Sequence, residues 1–173
     1  MKFVLLGPPG CGKGTQAELI QKDFDVEYIY PGAILREEIK KDTQIGRAVK
    51  EAVESGELVP TNFVTELVKL AVGDHEKYLI DGFPRNMGEV EHMGDLQIDF
   101  VVYINIPKEE VVTRLLKRGR KDDTKETIAE RYQVYQEETE PVLAHYREKG
   151  ILKEVDGIGS IKEVYERVKL LLS

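Results

Sequence analysis

The amino-acid sequence predicts an α/β fold, in which a doubly wound, five-stranded parallel sheet is covered by helices on both faces. Three observations support this prediction. Short apolar segments alternate along the chain with longer stretches of helical periodicity. Two of the apolar segments, Phe3–Leu6 and Phe100–Ile106, are nearly continuous, as strands buried on both faces should be. A glycine-rich loop follows the first strand directly, and folds of this class bind ligands at the carboxyl ends of their strands.

The predicted strands are short segments rich in β-branched and aromatic residues. In chain order they are Lys2–Leu6, Val26–Tyr30, Tyr78–Ile80, Phe100–Ile106 and Leu152–Val155. Helical stretches separate these segments, so neighbouring strands should run parallel.

The predicted helices have apolar residues three or four positions apart. In order they are Gln16–Asp23, Ile34–Lys41, Thr43–Ser55, Thr61–Val72, Asn86–Gly94, Lys108–Arg118, Thr124–Glu148 and Ile161–Leu172. Residues 30–59 form a helical insertion between two strands, and residues 118–124 form a short charged connection between two helices. We expect a single domain, 1–173, in which these two segments can build a movable cover.

Size and composition restrict the function classes. The chain has 173 residues, of which 41% are hydrophobic and 33% charged, as in soluble globular proteins. The net charge of −7 argues against a general nucleic-acid binder. No apolar run approaches the roughly 18 residues of a membrane span, and the apolar start is too short for a signal sequence. We expect a cytoplasmic monomer without nucleic-acid or membrane partners.

The segment Gly7-Pro8-Pro9-Gly10-Cys11-Gly12-Lys13-Gly14-Thr15 matches a GxxxxGK phosphate loop between a strand and a helix. Glycines allow backbone N–H groups to point at phosphate oxygens, and the helix start adds its positive dipole end. The pattern predicts a fold of the P-loop NTPase type. Gly14 stands where a metal-ligating Ser or Thr is usual, so direct metal binding by Thr15 is not expected. The alternative is a turn that merely connects strand and helix.

The sequence also contains more arginines than a hydrolase requires. Phosphoryl transfer depends mostly on positioning and on charge neutralisation, so a kinase needs cations that face both the donor and the acceptor phosphates. Solvated surface arginines are the alternative reading of each one. The candidate cations are Arg36, Arg85, Arg114, Arg118, Arg120 and Arg131.

Three motifs occur in family order over the whole chain. The phosphate loop extended through Gln16-Ala17, the segment Asp81-Gly82-Phe83-Pro84-Arg85, and Gly119-Arg120-x-Asp122-Asp123 followed by Arg131 resemble the adenylate kinase family of nucleoside monophosphate kinases, short-lid type. The DGFPR segment is far more diagnostic than the loop.

The resemblance implies a role for each matching residue. The residues implied in catalysis are Lys13, Arg85, Arg118, Arg120 and Arg131. The residues implied in ATP binding are Gly10, Cys11, Gly12, Lys13, Gly14, Thr15, Arg114, Arg118 and Gly159, with Arg114 stacking on the donor base. The residues implied in monophosphate binding are Pro31, Arg36, Glu57, Leu58, Val59, Gly82, Phe83, Arg85, Glu89, Arg120 and Arg131. The implied cofactor is Mg²⁺, which accompanies ATP and is oriented by Asp81 through water.

The chain departs from the family pattern at its acceptor site and its lid. Pro31 stands where most members have a threonine, and Glu89 stands where the family has a base-reading glutamine. An ionised carboxylate only accepts hydrogen bonds, so it suits guanine or the cytosine amine better than adenine. Alternatively, Glu89 faces solvent and reads nothing. The lid is unusually short, has no cysteine or histidine for a zinc site and should exclude less water.

We therefore expect a nucleoside monophosphate kinase, with the adenylate kinase reaction as the leading case. The alternatives are a kinase for CMP, UMP or another monophosphate, and a regulatory protein that binds nucleotide without turnover. Asp123 and Asp122 could form a lid hinge or an N-cap for the following helix.

Overall fold

The computed structural model describes residues 1–55, 59–119 and 123–172. Within this part of the chain, five parallel strands form one sheet in the order β2-β3-β1-β4-β5. Their bounds are β1 Lys2–Leu6, β2 Glu27–Ile29, β3 Tyr78–Asp81, β4 Phe100–Asn105 and β5 Leu152–Asp156. The predicted doubly wound parallel sheet is confirmed, and every strand end lies within one residue of its predicted position.

The helices of the described residues lie on both faces of the sheet. Their bounds are α1 Lys13–Phe24, α2 Pro31–Lys40, α3 Gln44–Ser55, α4 Thr61–Val72, α5 Met87–His92, α6 Lys108–Arg118, α7 Lys125–Val134, α8 Glu140–Glu148 and α9 Ile161–Leu172. Two helices begin three residues earlier than predicted. Helix α1 begins at Lys13, directly after the glycine loop, and α2 begins at Pro31. Proline suits the first helical position because its φ is preset and its missing N–H would have no partner there.

The predicted single helix 124–148 is wrong in its middle. A π-helical turn, Tyr135–Thr139, separates α7 from α8. The N–H of Glu140 donates to the carbonyl of Tyr135, five residues back. Pro141 accounts for the interruption, because it has no N–H to donate and its ring clashes with the carbonyl four residues before it.

Side chains of each strand alternate between two buried clusters. Ile80 and Val4 belong to a cluster that also contains residues of α2, α4 and α8. Leu79 and Leu5 belong to a second cluster, with residues of α1, α6 and α9. Because each face of the sheet has its own core, the strands are rigid supports for the loops at their carboxyl ends.

The central strand β1 aligns its carboxyl end with those of its neighbours. Leu5 pairs with Asp81 of β3, and Leu6 pairs with Tyr103 of β4. The N–H of Gly82 donates to the carbonyl of Leu5 at 2.9 Å. The glycine loop and the DGFPR segment therefore start side by side. No helix within the described ranges is both long enough and apolar enough to cross a membrane.

Candidate functional site

The glycine loop bridges β1 and α1, in the strand–loop–helix context predicted from the sequence. Gly12 caps α1 with a φ of +97°, which side-chain-bearing residues rarely adopt. A Cβ on Gly10 would lie 2.9 Å from Cγ of Leu115, so glycine is needed there because α6 packs directly on the loop. Thr15 is exposed in the first turn of α1.

Lys13 lies against the inside of this loop. Its Nζ donates to the carbonyl oxygens of Gly7 at 2.8 Å and Pro8 at 3.1 Å. Cys11 is buried, and its Sγ lies 3.5 Å from the same Nζ. The ammonium group is thus held by short polar contacts at the carboxyl end of β1.

Asp81 ends β3 and is only 4% exposed. Burial raises the pKa of this carboxyl, while Lys13, a hydrogen bond from Tyr28 and Arg85 lower it. Tyr28 Oη donates to Oδ2 at 3.0 Å. A Cβ on Gly14 would lie 3.7 Å from the same oxygen, so the carboxylate faces the first turn of α1.

This arrangement fits a magnesium ion held through water. Magnesium is usually bound by one or two carboxylates together with waters and substrate phosphates. The described residues contain no group of three or more His, Cys, Asp or Glu side chains placed to hold a metal. Asp81, beside the phosphate loop, is the carboxylate suited to that role.

Two tyrosines near Asp81 and Arg36 were missed by the sequence analysis. The rings of Tyr28 and Tyr30 are parallel, with centroids 6.4 Å apart. The guanidinium of Arg36, on α2, lies 5.2 Å from the centre of the Tyr30 ring. A row of contacts therefore joins Arg36 to Asp81. The sequence could have indicated this pair, because Tyr28 and Tyr30 are two residues apart in an extended segment and so share one face.

Arg85 follows β3 and the buried Phe83-Pro84 pair. Its Nε donates to the carbonyl of Gly82 at 2.6 Å, and its side chain is exposed at the carboxyl edge of the sheet. Phe83 is fully buried in the core, so its side chain anchors the segment between β3 and Arg85. Thr139 of the π turn donates from its hydroxyl to the carbonyl of Arg85 at 2.8 Å.

Glu89 does not face solvent, so the expectation of a solvent-facing side chain is wrong. The residue is 2% exposed, and its Oε2 accepts a hydrogen bond from the N–H of Arg85 at 2.5 Å. The Glu89 N–H donates to Oδ1 of Asn86, the N-cap of α5. Burial raises the pKa of Glu89, and the Arg85 N–H opposes that rise. The Asn86-x-x-Glu89 spacing resembles a capping box, which predicts bonding between Glu89 and Asn86 but not the bond from the N–H of Arg85.

Arg118 and Arg131 meet at one buried carboxylate. Arg118 donates to both oxygens of Asp123, at 2.9 and 2.7 Å, and Arg131 lies 3.5 Å from Oδ1. The Asp123 side chain is 0% exposed. The N-cap of α7 is Thr124, whose hydroxyl accepts from the N–H of Thr127, so the capping alternative for Asp123 is wrong.

Arg114 is not a solvated surface arginine. It donates to Glu110 at 2.6 Å, to the carbonyl of Gly157 at 2.9 Å and to the carbonyl of Cys11 at 3.4 Å. It therefore ties α6 to the phosphate loop and to the loop after β5. Gly159, two residues further on, has a φ of +121°.

The remaining predicted site residues divide into two groups. Pro31 is buried at the start of α2, and Val59 is buried in the core. The predicted residues outside the described part of the chain are Glu57, Leu58, Arg120 and Asp122.

Comparison with known proteins agrees with this site. The family model described as "Adenylate kinase" matches residues 5–151. A protein named "Adenylate kinase" from Thermus thermophilus is 38% identical over 179 residues, covering 98% of this chain and 95% of its own length. The Prochlorococcus marinus protein of that name is 40% identical over 179 residues, covering 99% and 98%. That from Encephalitozoon cuniculi is 37% identical over 170 residues, covering 97% and 96%. With this similarity over nearly its whole length, the chain belongs to the adenylate kinase family, whose members are phosphotransferases of the nucleoside monophosphate kinase type.

Proposed function

We propose that the chain transfers the terminal phosphoryl group of Mg·ATP to AMP and so forms two ADP. The observation that carries this proposal is the meeting of Lys13, Asp81 and Arg85 at the carboxyl ends of β1 and β3. Lys13 and Arg85 both act electrostatically on the buried Asp81 carboxylate. These contacts support a site in which a phosphate-binding loop, an acid suited to magnesium and an acceptor arginine share one edge of the sheet.

On the donor side, the backbone N–H groups of Gly10–Thr15 cradle the phosphates, and Lys13 places its charge between the β- and γ-phosphates. Arg114 holds the loop after β5 against the phosphate loop through its bonds to Gly157 and Cys11. We assign that loop, including Gly159, to the edge of the donor adenine, and Arg114 to its face.

Asp81 orients the waters of a magnesium ion that accompanies ATP. The ion supplies positive charge to the phosphate oxygens during transfer. Tyr28 holds one oxygen of Asp81 in place. Gly14 places no side chain beside that carboxylate, where a Ser or Thr hydroxyl would otherwise compete for it.

On the acceptor side, Arg36 and Arg85 bind the monophosphate. Arg118, Arg131 and Arg120 neutralise the charge of the transferring group. Within the single domain 1–173, residues 30–59 carry Arg36 and cover the acceptor, and residues 118–124 cover the phosphates. Backbone groups of Pro31, Glu57, Leu58, Val59, Gly82 and Phe83 border the acceptor base.

The buried position of Glu89 supports AMP as the acceptor. The carboxylate that suited guanine or cytosine already accepts from the N–H of Arg85. The reason for preferring those bases is therefore weakened. The relatives compared above carry the adenylate kinase name.

A direct assay tests this proposal. The protein is incubated with Mg·ATP and each of AMP, CMP, UMP, GMP and their deoxy forms, and the diphosphate formed is quantified. We expect AMP to exceed every other base by about tenfold or more in kcat/KM, since a site built for one set of hydrogen bonds leaves groups unpaired with another. Turnover with no monophosphate would exclude the kinase function, and a preference for another base would exclude AMP.

Replacing Lys13 tests the donor side separately. We expect Lys13→Met to lower kcat by about 100-fold or more, because the lysine stabilises charge that develops on the phosphates. Lys22→Met is the matched control, since Lys22 is an exposed lysine in the last turn of the same helix. Equal kcat values in the two variants would contradict the assigned role of Lys13.

A further inference from the structure

The backbone of Arg85 is held on both sides by buried side chains. Its N–H donates to Oε2 of Glu89 at 2.5 Å, and its carbonyl accepts from the hydroxyl of Thr139 at 2.8 Å. Glu89 is 2% exposed and Thr139 is 7% exposed. The Arg85 side chain is exposed, so the structure fixes the peptide groups and leaves the guanidinium accessible.

The two holding residues come from different parts of the chain. Glu89 is in the first turn of α5, four residues after Arg85, whereas Thr139 is 54 residues away. Glu89 is itself fixed, because its N–H donates to Asn86. The segment after β3 is thus held by a residue of the next helix, α5, and by a residue of the distant π turn.

Thr139 belongs to the π turn, which is itself anchored at its first residue. The hydroxyls of Tyr135 and Tyr103 lie 2.8 Å apart in the core, and Tyr103 Oη also donates to Asn105. Tyr103 is in β4, so the π turn is tied to the sheet. A π turn inserts one residue into an α-helix and changes the direction of the side chains around it, and such turns occur often at functional sites.

We propose that Glu89 and Thr139 are positioning residues that clamp the backbone of Arg85 and so direct its guanidinium toward the acceptor phosphate. This assignment rests on the proposed function of Arg85. An arginine with a long flexible side chain binds an oxyanion more tightly when its backbone is preorganised, because less freedom is lost on binding. Glu89 then contributes to acceptor binding through Arg85 and does not read the base.

The hydroxyl of Thr139 can be removed without changing the shape of the side chain. Thr139→Val should raise KM for AMP by about three- to tenfold, the loss expected for one intramolecular hydrogen bond, and should leave KM for ATP within about twofold. Thr139→Ser keeps the hydroxyl and should restore KM for AMP. A merely structural role would lower the melting temperature and change both KM values alike. An unchanged KM for AMP in Thr139→Val would overturn the proposal for Thr139.

Two substitutions separate the clamp from base reading at Glu89. Glu89→Gln keeps an oxygen that accepts from the Arg85 N–H, so KM for AMP and the preference for AMP over GMP and CMP should stay within about twofold. Glu89→Met has a similar volume but no acceptor, and should raise KM for AMP as Thr139→Val does. A changed base preference in Glu89→Gln would show that Glu89 reads the base and would overturn its assignment.

A measurement independent of turnover keeps the clamp testable if the kinase function fails. Amide hydrogen exchange at Arg85, followed by NMR, should be slow in the natural protein and faster by about tenfold or more in Glu89→Met. Exchange that is fast in the natural protein, or equal in both, would overturn the clamp itself. Slow exchange in a protein without any monophosphate kinase activity would overturn only the proposed function.

Discussion

Asp81 illustrates how single residues set the chemistry of this site. Desolvation favours its protonated form, whereas Lys13, Tyr28 and Arg85 favour the carboxylate. Burial and the nearby Asp81 also raise the pKa of Tyr28, so this tyrosine remains a hydrogen-bond donor throughout the physiological range. Asp81 itself could be predicted from sequence, because an acid at the end of an apolar strand needs a partner. Tyr28 could not, since it lies 53 residues away in the chain.

Removing the Tyr28 hydroxyl should change how the reaction depends on pH and on magnesium. In Tyr28→Phe the ionised form of Asp81 loses a donor, so the pKa of Asp81 rises further above its ordinary value of 3.8. The acidic limb of the kcat profile should therefore move to higher pH. The magnesium concentration for half-maximal activity should rise by about threefold or more, since a hydrogen bond to a charged group is lost. Both are measured by steady-state kinetics.

Tyr30→Phe is the control for this prediction. It removes a hydroxyl from the neighbouring ring and keeps the aromatic face beside Arg36. The pH profile and the magnesium requirement should match those of the natural protein. If the two variants shift alike, the effect belongs to the aromatic pair and not to the bond with Asp81.

At the scale of elements, the junction of α6 and α7 is organised around one carboxylate. Asp123 lies between Arg118, at the end of α6, and Arg131, in the last turn of α7. The sequence predicted both arginines for the site, but not that they share an anion. The sequence also allowed an N-cap role for Asp123, because Asp is a common N-cap, but Thr124 occupies that position in the structure.

Asp123→Asn should separate the function of this junction from its stability. Without the charge, Arg118 and Arg131 are less firmly oriented, and we expect kcat to fall by about tenfold. Both arginine side chains are partly exposed, so water can solvate them and the free energy of unfolding should fall by only about 1–3 kcal/mol. Thermal and urea unfolding measure the second effect.

Thr124→Ala is the matched change at the next residue. It removes the N-cap of α7 and should lower the free energy of unfolding by about 1 kcal/mol. Its kcat should remain within about twofold of the natural value. A loss of kcat as large as that of Asp123→Asn would mean that helix stability, and not the shared anion, controls the arginines.

Most helices and strands could be predicted because hydrophobic periodicity is visible in the sequence without any knowledge of tertiary contacts. Helices α4, α6 and α9 begin and end at their predicted residues. The π turn was not predicted, although Pro141 was visible, because periodicity continues across it. Proline is common in the first turn of a helix, so Pro141 alone does not indicate an interruption. It does so only once the residues before it are known to be helical as well.

At the scale of the whole molecule, the two faces of the sheet should determine which residues are coupled in the free energy of unfolding. Adjacent strand residues lie in different cores, with Leu79 in one cluster and Ile80 in the other. Val4 pairs in register with Ile80 and shares its cluster. Energetic coupling should therefore follow the faces of the sheet and not the order of the chain.

A double-mutant cycle measures this separation. Leu79→Ala should cost about 2–5 kcal/mol and Ile80→Val about 0.5–1.5 kcal/mol, and their effects should add within about 0.5 kcal/mol. Val4→Ala with Ile80→Val should deviate from additivity by more than that, because the two residues are register partners in one buried cluster. Urea denaturation provides all the free energies. Stronger coupling between the two chain neighbours than between the register partners would contradict independent cores.

The candidate site was predictable to the extent that strand ends and local motifs define it. Lys13, Asp81 and Arg85 all lie near the carboxyl ends of β1 and β3, as expected for residues at or after the ends of buried parallel strands. The contacts of Glu89, Thr139 and Asp123 depend on side chains that meet only after folding. Only the bond between Glu89 and Asn86 had a local signal, which is the capping-box spacing.

The single cysteine has a practical consequence for spectroscopic work on this chain. Cys11 is the only thiol, and it is almost fully buried in the phosphate loop. A cysteine introduced on an exposed face would react with a maleimide reagent well before Cys11, because reaction requires an accessible thiolate. Fluorophores or spin labels can therefore be attached at chosen positions in the natural sequence background, without first replacing a residue of the phosphate loop.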